Sequence, residues 1–291
     1  MTENIGGVVS SAGDYLLKMW HVSVPCGPRP PHKHSHTRFE ISYVDSGSAV
    51  YTVGDRCYNI SEGDMMVFSS NETHCITNVS EGGLKITNLH FEPRYIWGRS
   101  SDSLSDRHIN FCFSHREGFE NRIPREKADR LRGIMRMLQG ELEMRKEEYP
   151  LMVKSYLNSM IVSLIRDYGY AEDGISVSRS HVRSIRNAVL FIDSHLCEEL
   201  TLQSISQAAG LSPNYFSALF KKINNITLWD YISSKRIDEA IKRIMADSGE
   251  NMINIASECG FNNTANFNKA FKKFTGMTPT EYRESGDIFI H

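Results

Sequence analysis

The chain has 291 residues, of which 40% are hydrophobic and 23% are charged, and this length suffices for two domains that each bury a core. The net charge of -2 at pH 7 points to no class of partner, no signal-peptide pattern opens the chain, and no stretch reaches the roughly 18 apolar residues of a membrane span. The six cysteines form no C-x-x-C pair, which disfavours a disulfide framework or a zinc ribbon. The composition therefore favours a cytoplasmic protein with reduced thiols.

The N-terminal part, residues 1–122, contains short β-like runs that are separated by turns. The clearest runs are 39–44, 48–53, 56–60 and 65–68. The turns between them are rich in Gly, Asp and Ser, which are the residues that tight turns favour. Regular short strands with such turns predict a small β-barrel or sandwich.

Two histidine motifs lie in this region. They read His34-x-His36-x3-Glu40-x6-Gly47 and Gly63-x10-His74-x3-Asn78. Over about residues 25–80 they resemble the two motifs of the cupin family, although Gly27 stands one position further from His34 than usual, and Ser69 and Asn71 replace the usual Pro and Gly. The resemblance implies a small β-barrel, which in transcription regulators often serves as a ligand sensor.

The histidines suggest three alternative roles. His34, His36 and Glu40 share strand parity, so all three are predicted to point into the barrel. With His74 they form a set of three histidines and one carboxylate that suits Fe(II), Mn(II), Ni(II) or Zn(II). The same residues could instead contact an effector directly, or they could be structural. No cofactor is required, and Arg38, Tyr43 and Trp20 are further pocket candidates whose mixture of polar and aromatic groups suits a sugar.

Residues 123–170 are predicted to form a helical hairpin. Pro124 and Pro150 each suit the first turn of a helix. Two apolar stripes follow helical spacing: Leu131, Ile134, Met135 and Leu138, then Val153, Tyr156, Leu157, Met160 and Leu164. The hairpin could pack on the barrel or on a second subunit. Because two stripes exceed what one barrel face needs, we expect it to form a homodimer interface, followed by a small, polar linker at 171–180.

Residues 181–291 are predicted to be helical almost throughout, and they contain an internal repeat. A short helix ended by glycine, Ile205-x3-Ala209-Gly210-Leu211, returns as Ile255-x3-Cys259-Gly260-Phe261. The second copy has one extra residue after this turn, so beyond it corresponding residues of the two copies are 51 positions apart. The apolar residues Phe216, Leu219, Phe220 and Ile223 then correspond to Phe267, Ala270, Phe271 and Phe274. The capping residues Thr227 and Asp230 correspond to Thr278 and Glu281. Each copy is therefore predicted as a short helix, a glycine turn, a second helix and a further capped helix.

A helix, a tight turn and a second helix form the arrangement with which many proteins read DNA. The apolar stripe holds the second helix in place, and its opposite face is free to enter a major groove. The candidate DNA-binding residues on that face are Asn214, Ser217, Ala218 and Lys221 in the first copy, and Thr264, Ala265, Asn268, Lys269 and Lys272 in the second. Their amide, methyl and ammonium groups suit adenine, the thymine methyl group, and guanine or phosphate.

The helix between the copies is predicted to begin after Thr227 and to bury one stripe: Ile237, Ala240, Ile241 and Ile244. About 20 residues span roughly 30 Å, close to the roughly 34 Å between successive major grooves. Residues 181–291 carry 12 Lys and Arg against 12 Asp and Glu. Phosphate binding must then depend on the local pairs 221–222, 235–236, 242–243 and 272–273, which predicts modest non-specific affinity and a strong dependence on salt and dimerisation.

The repeat also carries a family resemblance. The stretch reads Ile255-Ala256-x3-Gly260-Phe261-x-Asn263-x-Ala265-x-Phe267-x-Lys269-x-Phe271-Lys272-Lys273-x2-Gly276-x-Thr278-Pro279-x2-Tyr282-Arg283. It resembles the signature of the AraC/XylS family of bacterial transcription regulators, and the resemblance covers about residues 185–285. It implies a seven-helix domain with two helix-turn-helix units, base contacts from the two reading helices named above, and action on promoter DNA, usually as an activator together with RNA polymerase.

These observations predict an α+β chain, with a cupin-like β-barrel and helical hairpin followed by an all-α DNA-binding domain at 181–291. The predicted function is a ligand-responsive, sequence-specific transcription activator rather than an enzyme, with a sugar as the suggested effector. The alternative is a metal-dependent cupin enzyme fused to a DNA-binding domain. The four predicted metal ligands favour that alternative, but nothing in the sequence marks a proton donor or a substrate clamp.

Overall fold

The computed structural model describes residues 2–9, 15–28, 33–96, 111–112, 115–171, 179–224, 226–246 and 249–285. The chain forms two compact units, the first of Met1–Pro31 and Arg38–Ile175 and the second of His32–Thr37 and Ser176–His291. Most of the predicted linker, residues 172–178, lies outside the described residues. Within those residues no helix has both the length and the apolar character needed to cross a membrane.

The first unit is built on one antiparallel sheet. Its strands are β1 (Thr2–Val9), β2 (Tyr15–Val24), β3 (Gly27–Pro28), β4 (Phe39–Val53), β5 (Arg56–Ser61), β6 (Met65–Phe68), β7 (His74–Phe91) and β8 (Arg122–Ile123). They are ordered β1-β2-β7-β4-β6-β8, with β3 paired to β7 and β5 to β4. The two long strands, β4 and β7, pair with each other along most of their length and form the centre of the sheet.

One predicted turn is not a turn. Residues 45–47 were expected to separate two strands, but β4 runs through them with register shifts on either side of Ser46 and Gly47. Gly47 has φ +87°, and a Cβ there would lie 2.1 Å from the carbonyl oxygen of Gly83. The glycine therefore permits a bulge and a close backbone approach that bend the strand without ending it.

Alternate residues of the central strands point to opposite faces of the sheet. One face carries Leu17, Met19, Phe39, Ile41, Leu89 and Phe91, which belong to the main hydrophobic core. The other face carries Lys18, Trp20, Glu40, Ser42, Asn88 and His90, which lie beside one another in the register of β2, β7 and β4. The sheet thus separates an apolar face from a polar one.

The predicted helical hairpin is present and completes the apolar core. After a short helix α1 (Pro93–Ile96) and a 3-10 turn (Arg125–Lys127), the chain forms α2 (Asp129–Met144) and α3 (Tyr149–Tyr168). Most of both stripes is buried in the same cluster as the apolar face of the sheet. Because the stripes are used within the first unit, they do not supply the surplus apolar surface from which dimerisation was predicted.

The described part of the second unit contains the seven helices that the sequence predicted. They are α4 (Arg179–Ser194), α5 (Leu202–Ala209), α6 (Pro213–Asn224), α7 (Leu228–Ala246), α8 (Met252–Glu258), α9 (Thr264–Thr275) and α10 (Pro279–Ser285). The helix α7 lies between the two repeats in sequence and packs against α6, α8 and α9. The predicted α+β class, with an N-terminal β domain and a C-terminal helical domain, is confirmed.

Candidate DNA interface and effector site

The first helix-turn-helix unit consists of α5 and α6. Thr201 and Ser204 form a reciprocal capping box that begins α5, and Gly210 ends it in the left-handed conformation, at φ +69°. The apolar stripe of α6 is buried, with Phe216 and Phe220 fully inaccessible to solvent. Burial of this stripe fixes which face of α6 points outward.

The second unit consists of α8 and α9 and repeats this construction with different caps. The Asn251 side chain accepts a hydrogen bond from the Ile253 N–H at 2.9 Å, and the Asn263 side chain accepts one from the Asn266 N–H at 2.8 Å. Gly260 makes the turn at φ +84°. The core of this unit joins α9 to α7 and α8 through Phe267, Phe271, Ile255, Ile237 and Ile241.

All nine predicted DNA-binding residues lie on the outward faces of α6 and α9. Asn214, Ala218, Lys221, Ala265, Asn268, Lys269 and Lys272 are exposed, and Ser217 and Thr264 are half-buried. The two reading helices therefore present the short polar, methyl and basic groups that the sequence assigned to them. Such a surface suits base edges in a major groove.

The basic pairs differ in their availability to phosphate. Lys235 is buried, with its Nζ 3.2 Å from Asp193 Oδ1, so the prediction that it binds phosphate is wrong. Lys273 lies 2.5 Å from Asp230 Oδ1, and Arg243 pairs with Glu258. The lysines of 221–222 and Lys272 remain exposed cations beside the reading faces.

The polar face of the first unit brings two of the predicted effector residues together. The Glu40 Oε2 atom lies 3.3 Å from His74 Nε2 and 2.8 Å from His90 Nε2. The Ser42 hydroxyl lies 2.7 Å from Glu40 Oε1 and 2.8 Å from Asn88 Oδ1. All five residues are buried, so this is a carboxylate held between two imidazoles in a polar cluster away from water.

The state of His74 follows from its two neighbours. Its Nδ1 lies 2.9 Å from the Glu72 carbonyl oxygen, which makes Nδ1 the donor and directs Nε2 toward Glu40. Burial by itself lowers the pKa of His74, but the Glu40 carboxylate and the Glu72 carbonyl together raise that pKa above its ordinary value. The Phe68 ring stacks on His74 at 4.0 Å between centroids and fixes the plane of the imidazole.

Among the other predicted effector residues, Tyr43 is not part of this cluster. Tyr43 has the opposite strand parity from Glu40 and packs against the apolar core, so its placement in the polar pocket is wrong. Arg38 makes an ion pair with Glu92 at 3.5 Å. His34 and His36 belong to the second unit, where their ring centroids are 6.1 Å apart.

The sequence reasoning missed His90 and its neighbours. His90 faces Glu40 in the register of β7 and β4, and its ring meets Trp20 edge-on at 4.5 Å. Strand parity could have found it, because Asn88 and His90 alternate with the apolar Leu89 and Phe91. The two cupin motifs contain neither residue, so the motifs alone do not point to them.

Comparison with known proteins identifies both parts of the chain. Residues 205–285 match the family described as "Helix-turn-helix domain", and residues 28–158 match the family described as "AraC-like ligand binding domain". The chain belongs to the AraC family of transcription regulators. This AraC-family chain is 21% identical over 256 residues to the melibiose operon regulatory protein of Escherichia coli K12, a match that covers 87% of this chain and 84% of that protein.

Two further similarities agree with this assignment. The HTH-type transcriptional activator RhaR of Mannheimia succiniciproducens is 21% identical, with 88% of this chain and 87% of that protein covered. The structure of ToxT from Vibrio cholerae shares the fold at a TM-score of 0.62 and 15% identity, over 91% of this chain and 98% of that chain. The AraC-family chain is therefore a ligand-responsive regulator with a helix-turn-helix DNA-binding domain, and it is not the cupin enzyme that the histidines had left open.

Proposed function

We propose that the chain is a transcription activator whose effector is a sugar or similar polyhydroxylated molecule bound on the polar face of the sheet. The observation that carries this proposal is Trp20, which is only 2% exposed and whose indole N–H has no hydrogen-bond partner among the described residues. A buried donor without an acceptor is costly, and a ligand hydroxyl oxygen would satisfy it. Asn88 faces Trp20 in the register of β2 and β7, and its amide and the Glu40 carboxylate on the same face of the sheet offer further groups that suit hydroxyls.

The names of two relatives support a sugar as the class of effector and activation as the effect on transcription. One regulates a melibiose operon, and the other is called a transcriptional activator. In the proposed cycle the effector binds one state of the first unit better than another and shifts the equilibrium between them. A homodimer would then place two copies of the reading helices on two half-sites and recruit RNA polymerase to the promoter.

The proposal is tested by selecting DNA fragments with the purified full chain, with and without a panel of mono- and disaccharides. We expect a defined sequence to be enriched, and one sugar class to change its affinity and to raise transcription by bacterial RNA polymerase in vitro. Asn268→Ala should alter the selected bases. Asn254→Ala, an exposed asparagine on α8, serves as the matched control. If no sequence were enriched, DNA reading itself would be wrong, whereas enrichment that no sugar alters would make the chain a constitutive binder.

A second candidate ligand is a divalent transition metal, because Glu40 and His74 converge and His74 donates its second ring nitrogen to a backbone carbonyl. That arrangement directs Nε2 toward Glu40 and is typical of metal-binding histidines. Glu40, His74 and His90 would hold the ion, and the ion would supply a site for ligand oxygens.

Metal analysis of protein grown with added Mn, Fe, Ni and Zn tests this candidate. We expect about one ion per chain, lost in Glu40→Gln and kept in Glu120→Gln, whose carboxylate is exposed. If the wild-type protein grown with these metals contained only trace metal, the organic effector would be the one remaining candidate ligand of this site.

A further inference from the structure

Arg236, near the middle of α7, contacts the segment directly before the first helix-turn-helix unit and the turn of the second. Its Nε donates to the Leu196 carbonyl oxygen and its Nη2 to the Glu198 carbonyl oxygen, each at 2.8 Å. These two carbonyls belong to the segment between α4 and α5, directly before the first unit begins. The guanidinium therefore holds the entry of the first unit with two charge-assisted hydrogen bonds.

The same guanidinium also lies against the turn of the second unit. Its central carbon is 5.9 Å from the centroid of the Phe261 ring, and that ring meets Phe267 of α9 edge-on at 5.3 Å. A Cβ on Gly260 would approach the guanidinium to 2.8 Å. The glycine of the second turn therefore makes room for an arginine that comes from the spacer helix.

Other contacts make α7 a stiff connection between the units. The buried Lys235–Asp193 ion pair fastens it to α4, with both side chains 8% exposed. Its apolar stripe shares a core with Phe267 and Phe271 of α9. Since a buried ion pair has directional geometry and a packed core resists sliding, α7 has little freedom to rotate against either unit.

We propose that Arg236 is the residue that fixes the orientation of the two reading helices relative to each other, and that it thereby sets the spacing of the DNA bases the protein reads. It contacts no base; it acts as a positioning residue. Without Arg236, α6 and α9 would each still contact their own bases, but the number of base pairs between the two contacted segments would vary. The inference depends on the proposed function only in that both reading helices engage DNA.

The first test measures the orientation without DNA. Nitroxide labels are placed on genetically encoded ketone residues at Lys222 of α6 and Lys272 of α9, both exposed, in the full chain. Pulsed electron resonance should give one narrow distance distribution for the wild-type background. Arg236→Ala should widen that distribution at least twofold. The matched control is Arg243→Ala, since Arg243 also lies on α7 but pairs with Glu250 and Glu258 around α8, and its distribution should stay narrow.

The second test uses the DNA sequence enriched in the selection experiment, with one base pair inserted or removed between the two halves read by one chain. We expect either change to weaken wild-type binding at least tenfold and to weaken Arg236→Ala binding less than threefold. The same result in Arg236→Lys, which keeps the charge but lacks the planar fork, would extend the conclusion to a variant with milder effects on folding.

The outcomes separate the two proposals. A distribution as narrow in Arg236→Ala and Arg236→Lys as in wild type overturns the inference, whatever the protein does with DNA. A wild-type protein that enriches no DNA sequence contradicts the proposed function. Widened distance distributions in Arg236→Ala and Arg236→Lys would even then support the positioning role of Arg236. Equal spacing penalties in wild type and in both variants would also overturn the inference.

Discussion

Glu40 is the residue on which the polar face of the sheet depends, because its two oxygens lie against His74, His90 and Ser42. Glu40→Gln keeps the shape of the side chain but removes the charge. We expect it to destabilise the protein by about 2 kcal/mol, since hydrogen bonds to a buried charge are lost, and to abolish any effector-induced rise in Tm. Thermal unfolding with and without the effector measures both effects. Glu120→Gln should change neither, and an unaltered Glu40→Gln protein would remove this cluster from the effector site.

A second residue-scale prediction concerns pH. His115 Nε2 lies 2.9 Å from Glu72 Oε1; burial lowers the pKa of His115, but Glu72 and the Arg116 carbonyl raise it above its ordinary value. A histidine whose pKa is higher in the folded than in the unfolded state stabilises the fold. The stabilisation is complete at pH values below the unfolded-state pKa of about 6.5, and it is lost as the pH rises through the folded-state pKa. Burial raises the pKa of Glu72, yet its partners lower it on balance, so its own contribution is lost only in acid.

His115→Gln should therefore lower Tm more at pH 6 than at pH 8.5. The expected loss at pH 6 is about 1 kcal/mol, because both side chains keep partial contact with solvent. Thermal unfolding of variant and wild type across this range is the measurement. A Tm difference that stayed constant or grew toward pH 8.5 would show that the imidazolium does not pair with Glu72.

At the scale of the helix-turn-helix element, two glycines allow a matched comparison. Gly210 and Gly260 both have positive φ, at +69° and +84°, but an added Cβ meets nothing within 4 Å at Gly210 and meets Arg236 at Gly260. Gly210→Ala should cost about 1 kcal/mol from backbone strain alone. Gly260→Ala should cost more, and it should widen the distance between the reading helices. Equal losses of stability in chemical denaturation would mean that the Arg236 contact contributes nothing.

The elements themselves were predicted unevenly. The sequence located all the helices of the repeat because buried phenylalanines and isoleucines recur every three or four residues, and because Thr278 and Glu281 form the reciprocal cap seen in the structure. It misjudged β4, since a Gly-containing bulge and a hairpin turn have the same composition. The sequence also suggested Tyr43 as a pocket residue, although its strand parity is opposite to that of Glu40 and puts its side chain on the apolar face.

The candidate sites show the same limit. The outward faces of α6 and α9 follow from helical periodicity alone, so the sequence could predict which nine residues those faces carry, and their role in DNA binding stays a prediction. The pairing of His90 with Glu40 depends on the register between two strands about 50 residues apart in sequence, which no local pattern specifies. Likewise, nothing in the sequence shows that Lys235 and Arg236 are used inside the domain while Lys221, Lys222 and Lys272 are exposed.

At the scale of the whole molecule, the lysines and arginines that pair with carboxylates within the protein determine how DNA binding responds to salt. Residues 181–291 are formally neutral, and Lys235, Lys273 and Arg243 are already paired within the protein. Few cations then remain to displace counterions from DNA, so these pairings replace the strong salt dependence predicted from the sequence with a shallow one: the slope of log K against log[salt] should be roughly -0.9 for each phosphate contacted. Lys221→Ala and Lys272→Ala should each reduce the slope by about 1.

The matched control is Lys242→Ala. Lys242 is exposed and belongs to a pair that the sequence assigned to phosphate binding, but it lies on the spacer helix with its Nζ 2.9 Å from Glu239 Oε2, so we now expect it to contact no phosphate. Its slope should equal that of the wild type. Fluorescence anisotropy with the selected DNA at 50 to 300 mM salt gives the slopes, a range of about sixfold over which each phosphate contact changes K by roughly fivefold. A wild-type slope steeper than the exposed lysines account for would show that further cations, outside the two reading helices, reach the DNA.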